Sequence, residues 1–228
     1  MKAITFDFGQ TLAELDYDFM ARRLSERGAS LDAAKARAAT SDAWARYGQA
    51  KSTGHAPAWR AMMELLLERG GVPAPRLPEL GDWLWSEQPR QNLWRKPLSG
   101  MIELVRELRR ARVPLGILSN SEGQLERLVE ELGWSGDFAV VVDSGRVGFD
   151  KPDARIFQVA RSALAVEAPE LLHVGDSWEA DVEGALNSGS HAVWFDARHR
   201  ERSLPSGTYG AADAGELREV LAGLGLVS

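Results

Sequence analysis

Apolar residues recur along the chain in two rhythms. Five short runs are almost wholly apolar: residues 3–8, 115–118, 138–142, 171–174 and 192–195. Runs this short and continuous fit strands covered on both faces, as in a parallel sheet. Between them the apolar positions fall at helical spacing. Residues 100–111 bring Met101, Ile102, Leu104, Val105 and Leu108 to one face. Residues 122–132 and 152–164 repeat the pattern, and 181–187 open a further helix. Strands alternating with helices predict an α/β fold with right-handed crossovers. The first crossover is anomalous, because the chain runs from Phe8 to Leu115 before the next such strand. Nearly all of 17–94 is helical in pattern, with breaks at 51–57 and 70–78. An all-helical stretch between two strands predicts an inserted domain at 16–95. The α/β core is then 1–15 and 96–228, with hinges near 13–16 and 95–98.

Composition narrows the classes. The chain has 228 residues, a formal charge of -6 and no cysteine. Thiol catalysis, disulfides and cysteine-ligated zinc are excluded. The N-terminus enters a strand directly, without a signal-peptide pattern. No apolar run nears the roughly 20 residues that span a bilayer. Net acidity counts against nucleic acid as partner. The expectation is a cytoplasmic protein, monomer or homodimer, with no membrane or nucleic-acid partner.

In a parallel α/β sheet, ligands bind beyond the carboxyl ends of the strands. Asp7 ends the first run. Ser119 and Asn120 end the second. Asp143 and Ser144 follow the run at 138–142, and Lys151 comes next. Gly175, Asp176 and Ser177 end the fourth, with Asp181 beyond. Clustered carboxylates repel one another unless a cation lies among them. Oxygen-only ligands select a hard ion, which predicts Mg²⁺ on Asp7 and Asp176. Lys151 adds a second positive charge, and Ser119 offers a donor to a phosphoryl oxygen. A carboxylate nucleophile beside Mg²⁺ and a lysine fits phosphoryl transfer to Asp7.

The stretches FDFGQTL, GILSNS, DKPDARIF and HVGDSWEADVEGALNSG resemble, in order, the four motifs of the haloacid dehalogenase-like (HAD) hydrolase superfamily. The helical insertion after the first resembles its C1-type cap. The resemblance covers the whole chain. It implies a Rossmann-like core and a magnesium-dependent phosphatase acting on a small phosphorylated metabolite. Asp7 matches the nucleophile, Ser119 the phosphate-binding hydroxyl and Lys151 the charge-balancing lysine. Asp176 matches the magnesium ligand. Asp181 matches the second acid, which supports the metal or Lys151. Thr11 matches a loop-shaping threonine. The candidate metal set is therefore Asp7, Gly9 through its carbonyl, Asp176 and Asp181. The candidate substrate contacts are Gly9, Gln10, Thr11, Asn120 and, from the insertion, His55.

Gly9 departs from the pattern, because most phosphatases of the family carry there the aspartate that protonates the leaving group. A positioned acid/base contributes typically ~10²–10⁴-fold. Gln10 cannot replace it, since an amide does not titrate. A slower phosphatase, one restricted to good leaving groups, or one with a substitute acid such as His55 is implied. Two alternatives compete: a 2-haloacid dehalogenase-type hydrolase and a non-catalytic HAD-fold binding protein. Asp176, and Phe157 where dehalogenases have tyrosine, count against the first. The complete set Asp7, Ser119, Lys151 and Asp176 counts against the second. Lys51 as a Schiff-base lysine is outweighed by its place at a helix C-terminus. Asp181 also suits a helix N-cap. Trp44, Tyr47, Trp59, Arg60, Trp83, Trp85 and Trp94 read first as packing residues, and 197–203 as a solvated loop.

Overall fold

The structure is a computed structural model that describes residues 1–53 and 57–227; His55 lies outside the described residues. The chain divides into two units, Met1–Leu15 with Trp94–Ser228, and Asp16–Leu93.

The first unit is built on a six-stranded, all-parallel sheet. Its strands are β1 (Ala3–Phe6), β4 (Leu115–Ser119), β5 (Val140–Asp143), β6 (Leu171–Gly175), β7 (His191–Phe195) and β8 (Thr208–Ala211). Their order is β5-β4-β1-β6-β7-β8. The chain leaves central β1 for β4 on one side and later returns to β6 on the other. The crevice at the carboxyl end of β1 is thus the switch point of the sheet. The α/β fold read from the apolar runs is the one observed.

Alternation along the strands sorts the two faces. Ile4, Phe6, Ile117, Leu172 and Val174 pack with Met101, Val105 and Leu108 of α6 (Met101–Arg110). They also meet Leu128 of α7 (Leu125–Glu131) and Leu217 of α9 (Ala214–Gly223). The opposite face sets Leu118, Val142, Ala192 and Trp194 against Ile156, Phe157 and Ala160 of α8 (Ala154–Leu164). Each large side chain buried here contributes about 1.5–3 kcal/mol.

The segments where the helical insertion leaves and rejoins the sheet pair with each other. β2 (Ala13–Leu15) and β3 (Trp94–Pro97) form a two-stranded antiparallel ribbon. That pairing places the division at Leu93/Trp94, two residues before the expected 95/96. β8 was not expected, because TYGA is half-exposed except at Ala211 and forms no apolar run.

The second unit consists of α1 (Tyr17–Ser25), α2 (Ala33–Ala38), α3 (Thr40–Thr53), α4 (Ala58–Arg69) and α5 (Leu77–Glu87). Met20, Leu24, Met62, Met63, Leu66, Leu67, Leu80 and Leu84 are its buried apolar residues of largest volume. Asp16 starts α1 by accepting the Phe19 N–H at 2.8 Å, as an N-cap aspartate should.

Candidate active site

Asp7 stands one residue beyond β1, and its N–H still bonds the Val174 carbonyl at 2.8 Å. Its carboxyl is therefore carried by a rigid strand. Oδ1 accepts from Ser119 Oγ at 2.8 Å and from Lys151 Nζ at 2.6 Å. Ser119 ends the neighbouring parallel strand β4, which brings its hydroxyl to the same end of the sheet as Asp7.

Lys151 is buried, and its ammonium donates three bonds: to Asp7, to Asp181 Oδ1 at 2.5 Å and to the Leu118 carbonyl at 2.8 Å. Asn120 holds the lysine's backbone from both sides. Its Oδ1 accepts the Lys151 N–H at 2.7 Å and its Nδ2 donates to the Lys151 carbonyl at 3.0 Å. The amide expected to touch substrate thus spends both ends on positioning Lys151.

Asp181 lies in the turn after β6, where Ser177 caps a π-helical segment, Trp178–Glu183. Its Oδ1 also receives His173 Nε2 at 3.0 Å, and its Oδ2 the Ser177 N–H at 2.8 Å. Both oxygens are occupied by protein donors. Gly175 makes this seat possible: a Cβ there would fall 2.2 Å from the Asp181 Cγ. Asp176 differs. Its carbonyl accepts Trp194 Nε1 at 2.9 Å, and its carboxyl forms no ion pair with any described residue.

One oxygen each from Asp7, Asp176 and Asp181 lies within 4.8 Å of the others. Burial, then the charges of Asp181 and Asp7, push the Asp176 carboxyl well above the usual carboxylate range. Burial also raises Asp7, with Asp181 adding to it and Lys151 opposing. For Asp181, burial is outweighed by Lys151 and His173, which hold it far below the ordinary value. Burial would lower the Lys151 ammonium, but Asp181 and Asp7 reverse that and raise it. Three carboxyls share one ammonium, and the deficit is concentrated on Asp176. This oxygen-rich, charge-deficient donor set fits a hard divalent cation.

The loop after Asp7 turns sharply. Gln10 has φ 56°, the left-handed region that costs a non-glycine residue of order 1–3 kcal/mol. Its N–H bonds the Ala13 carbonyl at 2.7 Å, and Phe8, not Gly9, accepts the N–H groups of Leu12 and Ala13. Thr11 is fully buried, and its hydroxyl has no hydrogen-bond partner among the described residues. Gly9 is not forced by its backbone. A Cβ there would meet Trp94 Cδ1 at 3.4 Å and Nε1 at 3.6 Å, ordinary contact distances.

Lys51 is exposed in the last turn of α3. Trp44 packs edge-on to Tyr47, Trp59 lies tilted against Trp85 with ring centres 5.0 Å apart, and Trp83 receives the guanidinium of Arg23. The stretch 197–203 is not simply solvated: the Arg202 guanidinium lies 3.6 Å over the Trp178 ring, two residues from Asp176. Sequence reasoning missed His173, Thr5 and Trp194. The available signal was period two: Thr5 shares the face of Asp7, and His173 interrupts an apolar strand.

Residues 1–189 match the haloacid dehalogenase-like hydrolase family. A phosphoserine phosphatase from Thermus thermophilus is 35% identical over 188 residues, covering 78% of this chain and 71% of that protein. The pyrimidine 5'-nucleotidase YjjG of Escherichia coli is 32% identical over 130 residues, covering 55% and 56%. In structure, the chain resembles the HAD-hydrolase YfnB of Bacillus subtilis bound to magnesium, with a TM-score of 0.66, 20% identity and coverage of 96% and 98%. The match over most of its length and the shared parallel-sheet fold make this chain a member of the haloacid dehalogenase-like hydrolases.

Proposed function

We propose that this hydrolase cleaves a small phosphate monoester through an aspartyl-phosphate on Asp7, with Mg²⁺ as cofactor. One observation carries the reading: a strand-borne carboxylate shares an oxygen between a buried lysine and a serine, beside an acid with no ion-pair partner among the described residues. The similarity to a phosphoserine phosphatase and a nucleotidase supports the same reaction class.

Asp7 Oδ2, the oxygen not engaged by Ser119 or Lys151, attacks phosphorus, and the ester P–O bond breaks. Ser119 turns its hydroxyl from Asp7 to a phosphoryl oxygen, and Lys151 neutralises charge on the acyl phosphate. Water then displaces Asp7 and releases inorganic phosphate. Bound Mg²⁺ supplies charge neutralisation at the phosphoryl oxygens. Asp7, Asp176 and the Gly9 carbonyl would hold it. Asp181 is read as the support of Lys151, since both of its oxygens already accept protein donors. Gly9 offers no proton, so the leaving group departs best when it is a weak base. Residues 16–93 are read as the substrate-selecting cap, and the lack of cysteine fits a cytoplasmic setting.

The test is release of product from p-nitrophenyl phosphate and acetyl phosphate, with and without Mg²⁺, by wild type and Asp7→Asn. Metal-dependent turnover lost in Asp7→Asn is expected. No turnover of either, with the two proteins indistinguishable, refutes the proposal.

A further inference from the structure

The phosphatase reading uses Asp7, Ser119, Lys151, Asp176 and Asp181. It leaves unexplained a polar pair at the centre of the sheet. Thr5 and His173 are both fully buried, on adjacent strands β1 and β6 and in direct register. Interior parallel strands are ordinarily apolar on both faces. Here Thr5 Oγ1 lies 2.9 Å from His173 Nδ1, and His173 Nε2 lies 3.0 Å from Asp181 Oδ1. Phe157 packs edge-on against the imidazole at 5.3 Å.

The hydrogen-bond directions follow from the partners. Asp181 is a carboxylate already accepting from Lys151, so Nε2 must be the protonated nitrogen and the donor. Nδ1 of the neutral ring then accepts from the Thr5 hydroxyl. The same Asp181 Oδ1 that receives His173 receives Lys151 at 2.5 Å, and Lys151 reaches Asp7 Oδ1 at 2.6 Å. A continuous buried chain therefore runs Thr5–His173–Asp181–Lys151–Asp7.

We propose that His173, seated on Thr5, is a positioning residue that fixes the Asp181 carboxylate and through it keeps the Lys151 ammonium on the nucleophile. The Ser177 N–H fixes one oxygen of Asp181, and His173 fixes the other, so together they set the carboxylate plane. Lys151 spends all three hydrogens on protein acceptors and has no freedom once Asp181 is held. A purely structural pair at this place is served nearly as well by two apolar side chains of similar shape, because replacing both leaves neither Thr5 nor His173 unpaired, and Asp181 Oδ1 still accepts from Lys151. Fold and positioning roles thus predict different outcomes for the same substitutions.

The inference rests on the phosphatase reading for its kinetic test and carries a second readout that does not. Four variants are compared: His173→Gln, which keeps an N–H near the place of Nε2; His173→Asn, which keeps a group only near Nδ1; His173→Phe; and Thr5→Val with His173→Phe. Each is measured for kcat and KM on p-nitrophenyl phosphate, for Tm, and for the NMR signal of the Lys151 ammonium protons, visible while they are shielded from solvent exchange. The Gln variant should stay within about threefold of wild-type kcat, while Asn, Phe and the double variant lose ~10–100-fold with KM little changed, as outer-shell partners do. The double variant, which leaves no unpaired Thr5 hydroxyl, should keep a Tm closer to wild type than His173→Phe alone while losing both kcat and the ammonium signal. Unchanged kcat in the double variant, losses that merely track Tm across all four, or an intact Lys151 signal in His173→Phe each overturn the proposal. A wild type that turns over no phosphate ester refutes the phosphatase reading instead, and the Lys151 signal then decides the relay by itself.

Discussion

Replacing Gly9 by aspartate tests how this site manages without the family's usual acid. The substitution is sterically open: the new Cβ lies 3.4 Å from Trp94 Cδ1 and 3.6 Å from its Nε1, and Gly9 is not among the glycines with positive φ. A well-placed acid is worth ~10²–10⁴ in rate, or roughly 3–5 kcal/mol of barrier. The full value is not expected, because a fourth carboxyl joins Asp7, Asp176 and Asp181 and repels them. A gain of about 10–100-fold is the working figure for an alkyl phosphate, whose leaving alkoxide needs a proton. p-Nitrophenyl phosphate should gain little, since its leaving group is stable as an anion. The assay is kcat/KM on both esters, by phosphate release and by nitrophenolate absorbance, with Gly9→Ala as the control for added bulk. The ratio of the two substrates is decisive, because damage to the loop lowers both equally. An unchanged ratio in a Gly9→Asp enzyme that still cleaves p-nitrophenyl phosphate would show that another group already protonates the leaving oxygen.

Further outcomes follow from the same geometry. Gly175→Ala puts a methyl 2.2 Å from Asp181 Cγ, so Tm should fall by the equivalent of about 1–3 kcal/mol and turnover with it; a wild-type melting curve would contradict the packing. Trp194→Phe removes the N–H on the Asp176 carbonyl and should weaken Mg²⁺ binding about tenfold while kcat at saturating Mg²⁺ stays close to wild type, read by metal titration. Mg²⁺ affinity should rise with pH, because the raised Asp176 carboxyl must lose its proton to bind the cation; titrations at two pH values that agree count against this. The stability sign is opposite for the metal-free protein. A carboxyl raised on folding binds more protons folded than unfolded, so stability falls as pH climbs from the unfolded value of about 3.9 through the raised one. Added Mg²⁺ should flatten that loss in thermal melts.

Five of the six core strands were legible because each carries a short dense apolar run: the four inner ones are buried almost throughout, and edge strand β5 still offers consecutive valines. β8 was not, because an edge strand needs only Ala211 buried and leaves Thr208, Tyr209 and Gly210 half-exposed. Nor was the β2–β3 ribbon, whose strands AEL and WRKP are only three and four residues long and lie far apart in sequence. Asp7, Ser119, Lys151, Asp176 and Asp181 could be picked out because strand ends in a parallel sheet face one crevice. What a strand-end residue does with its hydrogen bonds was not legible. Asn120 has the position of a ligand contact but the bonding of a clamp on Lys151.

The charge balance explains how a glycine at position 9 is compatible with the rest of the site. Asp7, Asp176 and Asp181 against Lys151 leave two negative charges when all are ionised, and His173, buried and held below its ordinary pKa, adds none. One divalent cation neutralises that remainder. The carboxyl that most needs the cation is Asp176, since Asp181 is satisfied by Lys151, His173 and the Ser177 N–H, and Asp7 by Lys151 and Ser119. An ionised aspartate at position 9 would leave the cation-loaded site with a net negative charge facing an anionic ester. Gly9 removes that charge together with the acid. The consequence for selectivity is direct: relative to a Gly9→Asp enzyme, the wild type should favour acyl and aryl phosphates over alkyl phosphates, because it gives up proton donation and keeps a neutral floor beneath the phosphoryl group.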